Sequence, residues 1–597
     1  MDEQQLANLR HTLAHVLAAA VRELYPHAKP TIGPTVDNGF YYDFDFSGGD
    51  KPGDRELQKI EQKMREILKK WETIEREEVA EAAVREYFAG NPYKLELIDE
   101  ILARGEPLTL YRSFGTPTSN LQPPTSLFTD LCRGGHAEHP NKDIPSTCFT
   151  LDRIAGAYWR GDEKNAMLTR IYGLAFESKD ALVAYKTQRE EAERRDHRKL
   201  GKELGLFFFS ELVGPGLPLW TPKGTIIREQ LNDYVWQLRK ERGFMKVTIP
   251  HITKKELYET SGHWSKFADE LFKIETREGH LFAMKPMNCP HHTQIFDSTP
   301  KSYRDMPQRY AETTMVYRDE QSGELSGLSR VLSITQDDAH VFCRYNQIET
   351  EMLAIWDIID IFYKTFGFSE LTVRFSRHDP EHFEKYIGTK ERWAEAESKL
   401  LAVINSRSQS HFDGLGEAAM YGPKIDFMAK DAMGRTLQVA TIQLDLNMPM
   451  NFGLSCVNEK GEKEDIAMLH CAIMGSIERF MTILIEHFAG VFPLWLSPVQ
   501  LRIVPIGEAH RAYAQEVYEL LKQADIRVEI DLSDDSLGKR IRNAKVDKLP
   551  YFAVIGDKEV EGHTVTLESR GGTTQTLTPE AVREALLERI NTRSIDA

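Results

Sequence analysis

The spacing of apolar residues changes its period several times along this 597-residue chain, and those changes mark its divisions. Over residues 10–25 apolar positions recur at helical spacing, and the run GFYYDFDF further on has strand character. A loop rich in glycine and proline is expected over 115–126. Residues 179–204, KDALVAYKTQREEAERRDHRKLGKEL, are densely charged and predict an exposed connecting helix with a domain boundary beside it. Between 205 and 497, β-prone apolar runs alternate with long amphipathic helices, among them 226–242 and 347–366. After Pro498 come LRIVPIG, a helix over 512–524, IRVEIDL, a basic helix over 537–548 and PYFAVIGDKEV. That order reads as βαβαβ with a mostly parallel sheet. The expected divisions are therefore 1–180, a linker helix at 181–204, a central domain at 205–497 and a terminal α/β domain at 498–597.

Composition narrows the class. With 41% hydrophobic and 28% charged residues the chain is that of a globular protein, and its length calls for roughly three to five domains. No apolar run is long enough for a membrane span. The opening MDEQQLANLRHTLAHV is acidic and lacks a basic leader ahead of an apolar core, so no secretory signal is expected and the cytoplasm is the expected address. Six scattered cysteines make no disulfide framework; each is a buried thiol or a ligand. A net charge of −16 argues against wholesale binding to nucleic acid, while leaving room for a local basic groove.

Candidate chemistry concentrates in 315–344, MVYRDEQSGELSGLSRVLSITQDDAHVFCR. Arg318 and Arg330 flank a turn-rich loop between β-prone runs, which predicts an antiparallel hairpin. Their charge is permanent, and guanidinium forks suit a carboxylate or phosphate. Asp337, Asp338 and His340 add groups able to hold a cation or a polar substrate. Taken alone, the segment also suits a solvated surface hairpin. Cys289, His340 and His470 are possible metal ligands, but separations of 340−289 = 51 and 470−340 = 130 residues say little by themselves. His291 and His292 leave the choice of ligands open. Near the start, His11 and His15 are four apart and share a helix face, while Cys132 and His136 form CRGGH. Two such pairs offer four ligands; the plainer alternative is surface histidines and a core thiol.

The segments MKPMNCP, YRDEQSGELSGLSRV, TQDDAHVFC, YGPKIDF and MGSIERF, preceded by TIPHI, resemble the signature of the class II aminoacyl-tRNA synthetases. Over about 8–590 the chain is similar to the bacterial threonyl-tRNA synthetases. The resemblance implies an α+β multidomain protein: a catalytic domain on a large antiparallel sheet, an N-terminal α+β editing domain and a C-terminal α/β anticodon-binding domain. It also implies a homodimer joined around Pro250, with tRNA(Thr), ATP and L-threonine as partners and no membrane. In the implied reaction, the threonine carboxylate attacks the α-phosphate of ATP, and the 3′-terminal ribose hydroxyl of the tRNA then attacks the adenylate carbonyl. Both steps build negative charge on oxygen, which fixed cations and the Mg²⁺ that accompanies ATP stabilise.

Residue by residue, the resemblance puts Arg318 on the α-phosphate and substrate carboxylate, Glu320 on the adenine side, and Arg330 and Arg479 on the nucleotide and its phosphates. Gln438 helps to seat ATP, and His263, in SGHW, lies near the ribose during transfer. Cys289, His340 and His470 would hold one Zn²⁺ per subunit, with Asp338, Tyr421 and Gln443 on the substrate's polar groups. Such a metal can take both the amino and hydroxyl groups of threonine, whereas near-isosteric valine lacks the second. Serine has both and lacks only a methyl, worth about 1–3 kcal/mol, so a second sieve is required. His11, His15, Tyr42, Lys94, Asp130, Cys132 and His136 match the family's editing pocket, with His11 and Lys94 expected to handle the catalytic water. Whether that pocket holds a metal stays open.

The chain departs from the pattern in places. His291 stands where glycine is common and Cys471 where arginine is, and neither change removes a ligand. In the terminal domain LGKRIRNAKVDK and GDKEVE would face the anticodon, with Glu559 as base reader. There Asp534 replaces a usual asparagine, and Glu568 a frequent arginine, leaving Arg570. The small ubiquitin-like domain that precedes the editing module in many bacterial members is expected to be missing. A noncatalytic RNA-binding paralogue should show gaps among the phosphate and zinc residues, and none is visible. A prolyl or seryl enzyme would share the three motifs without this triple and this editing module.

Overall fold

The computed structural model describes residues 1–115, 126–368 and 370–595, so most of the loop expected over 115–126 lies outside the described residues. The chain forms two compact units, Met1–Glu190 and Glu191–Ala597. In place of one linker helix there are two, Lys179–Arg195 and His197–Glu203. They are broken at Asp196, which leaves helical geometry and caps the second by accepting the Arg198 N–H.

In the first unit, helix α1 (Glu3–Leu24) starts at a capping box formed by Asp2 and Gln5. It buries Leu13, Val16 and Leu17 against strand β1 (Gly39–Asp45) and helix α2 (Leu57–Leu68). On β1 the two-residue period sends Phe40, Tyr42 and Phe44 into that core. A separate three-stranded antiparallel sheet joins β2 (Thr73–Glu78), β3 (Thr109–Phe114) and β4 (Phe128–Leu131). Helix α3 (Pro92–Ala103), capped by Asn91, carries Lys94 in its first turn.

The second unit is built on a nine-stranded sheet, counted among the described residues. Its central strands are β5 (Gln308–Tyr317), β6 (Ser333–Arg344), β7 (Leu371–Arg377), β8 (Lys424–Lys430), β9 (Thr436–Asp445) and β10 (Lys463–Ser476). They lie antiparallel in the order β5-β6-β10-β9-β8-β7; parallel pairings occur only with the short strands at either edge. The expected hairpin is β5 with β6, in register from Gln308 opposite Phe342 to Tyr317 opposite Ser333.

Alternation on β6 decides which side chains can meet a ligand. Ala339, Val341 and Cys343 join the core beneath the sheet, while Gln336, Asp338 and His340 face a cavity on the other side. Asp337 therefore does not belong with Asp338 and His340 as a ligand-facing cluster. It points into the core and pairs with buried Arg239 of helix α4 (Pro222–Glu241), which donates to its carboxylate at 3.2 Å and its carbonyl at 2.7 Å. It also fills a register shift: Gln336 lies opposite Ser476 but Asp338 opposite Ala472. The spare Ile473 and Met474 N–H groups donate to its carboxylate at 2.8 and 3.0 Å.

The terminal domain's sheet is mixed instead of mostly parallel. Leu501–Pro505 pairs in parallel with Val528–Ile530 and Tyr551–Ile555, but Val565–Ser569 and Thr574–Leu577 add antiparallel pairings. The connection from Ile555 to Val565 is too short for a parallel crossover, which needs about a dozen residues or more. The next turn is tight and contains Gly572 at φ +83°.

Asp337→Ala would leave the Arg239 guanidinium buried beside two amides without acceptors. The second unit is expected to lose about 3–5 kcal/mol, and Asp337→Asn distinctly less. Urea unfolding followed on that unit's transition checks this; equal, small losses for both variants would contradict it.

Candidate active site

A cleft of about 660 Å³ opens where the β5–β6 hairpin, β9 and the end of β10 converge. Arg318, Glu320, Arg330, Gln438, Tyr421, Gln443 and Arg479 all line it. Arg318 follows β5, its N–H donating to the Leu332 carbonyl at 3.0 Å. Its guanidinium lies 5.8 Å from the Phe267 ring, and its buried Nε has no hydrogen-bond partner. That is a fixed cation with bonding capacity to spare, as an anion site requires. Arg330 holds Glu320 at 2.6 Å and Glu324 at 3.2 Å. Arg479 lies in the first turn of helix α5 (Ile477–His487), capped by Ser476 just beyond the β10 bulge. Gln438 is less free than expected: its amide oxygen takes Arg374 at 2.7 Å and its nitrogen donates to Asp426 at 2.9 Å.

A smaller chamber of about 220 Å³ adjoins the cleft and contains Cys289, Asp338, His340, Tyr421, Gln443 and His470. Strand register assembles it, for His340 lies opposite His470 across β6–β10 and Gln443 opposite His470 across β9–β10. Cys289, the first residue of helix Cys289–Asp297, completes a buried triple whose ligand atoms all lie within 4.8 Å of one another. His470 Nε2 donates to Asp445 at 3.1 Å, so its Nδ1 presents a lone pair to His340 Nε2, 3.1 Å away. His340 Nδ1 meets His292 Nδ1 at 2.7 Å. Two imidazole nitrogens and a sulfur thus converge on one point, with a second partner behind each histidine, which is the donor set a soft or borderline divalent cation takes. Asn288 donates to Asp338 at 3.0 Å and Gln443 to the Gly422 carbonyl at 3.0 Å.

His263 is brought near this site but not into the open cleft. It is fully buried, with Nδ1 on the Ser261 hydroxyl at 2.8 Å and Nε2 beside Met287 sulfur at 3.0 Å. Burial lowers its pKa to about 3, and the Arg318 guanidinium acts in the same direction. Sequence reasoning missed Asp445 and Asn288, and it weighed His292 as an alternative ligand, whereas the structure sets it behind His340. Asp445 was within reach, since it lies two residues past Gln443 and so on the same strand face. Asn288 and His292 flank Cys289 on a helix start whose orientation nothing in the sequence announces.

A family profile, the tRNA synthetase class II core domain (G, H, P, S and T), matches residues 272–488, and the anticodon binding domain matches 500–589. The threonine–tRNA ligase of Thermosynechococcus vestitus is 44% identical over 577 residues, 95% of this chain and 92% of that protein. Its counterpart from Rubrobacter xylanophilus is 45% identical over 589 residues, 98% of this chain and 88% of its own. The chain belongs to the threonine–tRNA ligase family. Among solved structures, the RNA binding domain of threonyl-tRNA synthetase from Cryptosporidium parvum is similar at TM-score 0.63 and 34% identity, over 67% of this chain and 99% of that one. Prolyl-tRNA synthetase from Giardia lamblia, 16% identical with a TM-score of 0.53 over 68% and 81% of the two chains, shares the fold.

In this member of the ligase family the first unit holds a second cluster. His11, His15, Cys132 and His136 place their ligand atoms within 4.8 Å of one another. Cys132 sulfur is 3.4 Å from both His11 Nε2 and His136 Nε2, and burial pushes its thiol up to about 12. Beside the cluster, Asp130 takes Lys94 Nζ at 2.6 Å and the Tyr42 hydroxyl at 2.5 Å. Lys94 also donates to the Tyr42 oxygen at 3.3 Å; its hydrogen bonds among the described residues do not include His11. In the terminal domain, both Glu559 carboxylate oxygens are engaged, one by the Gly556 N–H at 2.9 Å and one by the Thr566 hydroxyl at 2.7 Å. Arg570 donates to the Phe492 and Lys548 carbonyls and so holds the domain's root, while Glu568 pairs with Lys545 at 3.0 Å.

A buried histidine kept neutral when folded but free to charge when unfolded lowers stability as pH falls below the unfolded value of 6.5, and the loss is complete only near 3. Between neutral pH and about pH 5, wild type is therefore expected to lose about 2 kcal/mol more than His263→Gln, read from paired denaturation curves. Parallel losses would show that His263 does not carry this effect.

Proposed function

We propose that the chain activates L-threonine with ATP and transfers it to tRNA(Thr), acting in the cytoplasm as a homodimer. The observation that carries this reading is the junction of two spaces: a cleft lined by Arg318, Arg330 and Arg479, and a chamber where Cys289, His340 and His470 converge beside Asp338. Met245 and Ile252, which precede and follow Pro250 in the chain, are large apolar side chains left exposed, which supports self-association.

The chemistry follows from these positions. ATP lies in the cleft with its phosphates and accompanying Mg²⁺ among the arginines, and Arg318 faces the α-phosphate. Fixed cations cost no reorganisation as charge passes to the pentacovalent oxygens and the departing pyrophosphate. The threonine carboxylate oxygen bonds to the α-phosphorus as the bond to pyrophosphate breaks. A tRNA ribose oxygen then bonds to the carbonyl carbon as AMP leaves. Cys289, His340 and His470 fit one Zn²⁺, which when bound supplies a Lewis-acidic position for the amino and hydroxyl groups of threonine. Asp338, held by Asn288, and Gln443 orient those groups from the chamber wall. Asp445 and His292 set the tautomers of the two histidines.

The buried cluster of the first unit supports hydrolysis of Ser-tRNA(Thr). The methyl that separates serine from threonine is too small for the first site to sort well. His11, whose value is lowered by burial, is neutral and suited to accept a proton from water, while Lys94, Tyr42 and Asp130 form a buried polar wall beside it. Glu559 and the basic helix Leu537–Val546 are the proposed anticodon contacts, with the Glu559 cap bonds opening on binding.

ATP–pyrophosphate exchange is expected to respond strongly to threonine, weakly to serine and negligibly to valine. Cys289→Ala should lose its stoichiometric zinc by elemental analysis and at least about tenfold of threonine-dependent exchange. Absence of threonine-dependent exchange in wild type would overturn the assignment, and full zinc content in Cys289→Ala would overturn the ligand set. His11→Ala should leave threonylation intact while Ser-tRNA(Thr) accumulates; undiminished clearance of Ser-tRNA(Thr) would remove the editing role from this cluster.

A further inference from the structure

One buried histidine used by none of these steps lies between the two elements that carry the cleft's arginines. His197 opens the helix His197–Glu203 and is 5% exposed. Its Nδ1–H donates to Glu486 Oε1 at 2.8 Å, and its backbone N–H reaches the same oxygen at 3.3 Å. Its Nε2 accepts the Leu328 N–H at 3.1 Å. Glu486 belongs to the last turn of α5, the helix whose first turn carries Arg479. Leu328 belongs to the hairpin loop, two residues before Arg330. A single imidazole therefore bonds to both supports.

The bonding is specific. An N–H donor on one side and a carboxylate acceptor on the other demand the neutral ring protonated at Nδ1. Both nitrogens are then occupied, so Asp196, His197 and Glu486, although close together, are not a metal cradle; Asp196 is itself engaged by Arg198. The second Glu486 oxygen is held by Arg435, which Asp431 fixes in turn at 2.7 Å. Arg195 donates to the Glu486 and His487 carbonyls at 3.3 and 3.0 Å, tying down the same helix end. On the loop side, Gly327 has φ +50°, and a Cβ there would stand 2.3 Å from His197 Nε2. The loop thus rests directly on the ring, a contact only glycine permits. Beyond it, Arg330 is 49% exposed at its side chain, and its backbone makes a narrow bridge with Ser326.

We infer that His197 is a positioning residue for nucleotide binding. It holds the Arg330 loop against α5, so that Arg330 and Arg479 enter the cleft at a set separation before ATP arrives. The inference rests on the cleft being the ATP site. Without the Leu328 bond, the loop keeps its Leu328 side-chain anchor in the core but loses the contact that fixes its height over the cleft. A misplacement of about 1 Å is enough to cost up to about a hundredfold in such a site.

The experiment separates this role from simple support. His197→Phe is expected to raise the ATP KM in pyrophosphate exchange about tenfold while the threonine KM stays within about twofold. His197→Gln, whose amide oxygen can reach the Nε2 position and accept the Leu328 N–H, should return the ATP KM to within about threefold of wild type. His197→Asn, which reaches Glu486 alone, should resemble His197→Phe. Calorimetric ATP affinity should follow the same order. An unchanged ATP KM, equal changes in both KM values, or rescue by Asn as good as by Gln would each overturn the inference. If His197→Phe fails to fold, the comparison of Gln with Asn decides. Absent exchange in wild type together with ATP affinities ordered as above would refute the proposed reaction and leave the positioning role standing.

Discussion

The buried pair of Arg239 and Asp337 is the constraint on which the site's geometry depends. It is not a cheap interaction: burial holds the Asp337 carboxyl up at about 6 even beside an arginine. Its role is geometric, for the carboxylate takes the two β10 amides freed by the register shift, so the strand can carry extra residues without orphaned donors. The chain then turns through Gly475 at φ +75° into Ser476 and α5. Arg479 is delivered into the cleft as a consequence, while the preceding part of β10 keeps His470 opposite His340. One buried ion pair thus couples the position of the Arg479 guanidinium in the cleft to the register that sets His340 opposite His470.

Cations and ligands are separated by the same sheet logic. On β6, Ala339, Val341 and Cys343 pack into the core while Gln336, Asp338 and His340 face the chamber, so QDDAH divides between the two faces of the sheet. Arg318 carries unspent hydrogen-bonding capacity, whereas Arg330 is already paired with two glutamates. The first unit solves a different problem. Its cluster is buried deeply enough to keep imidazoles neutral and a thiol protonated, an environment suited to moving a proton at neutral pH.

Much of this was legible in the chain. The hairpin, the long helices over 222–241 and 348–365, and the paired His11 and His15 follow from period and turn chemistry, which are local. The linker is the instructive failure. A run of charges predicts helix, but an aspartate followed by HR offers a cap that breaks it in two, and His197 and Arg195 on either side of the break take up contacts with α5. The terminal sheet misled for a similar reason: βαβ rhythm was clear, yet the short connection from Ile555 to Val565 and the glycine pair after Arg570 each reverse the chain and make the last two pairings antiparallel.

The sequence by itself determined the class of chemistry, because residue types and ordered motifs survive without coordinates: permanent cations around an anion, and cysteine and histidines able to hold a metal. Only the tertiary structure decided which of them meet. Separations of 51 and 130 residues carry no distance, and strand register alone sets His340 opposite His470 with Asp445 behind it. It likewise sent Asp337 inward, buried His263, engaged Glu559 and Arg570 internally and gave His197 its two partners. The physical reason is that local periodicity fixes the face on which a side chain lies, whereas its partner is fixed by long-range pairing and by the need to satisfy each buried donor and acceptor.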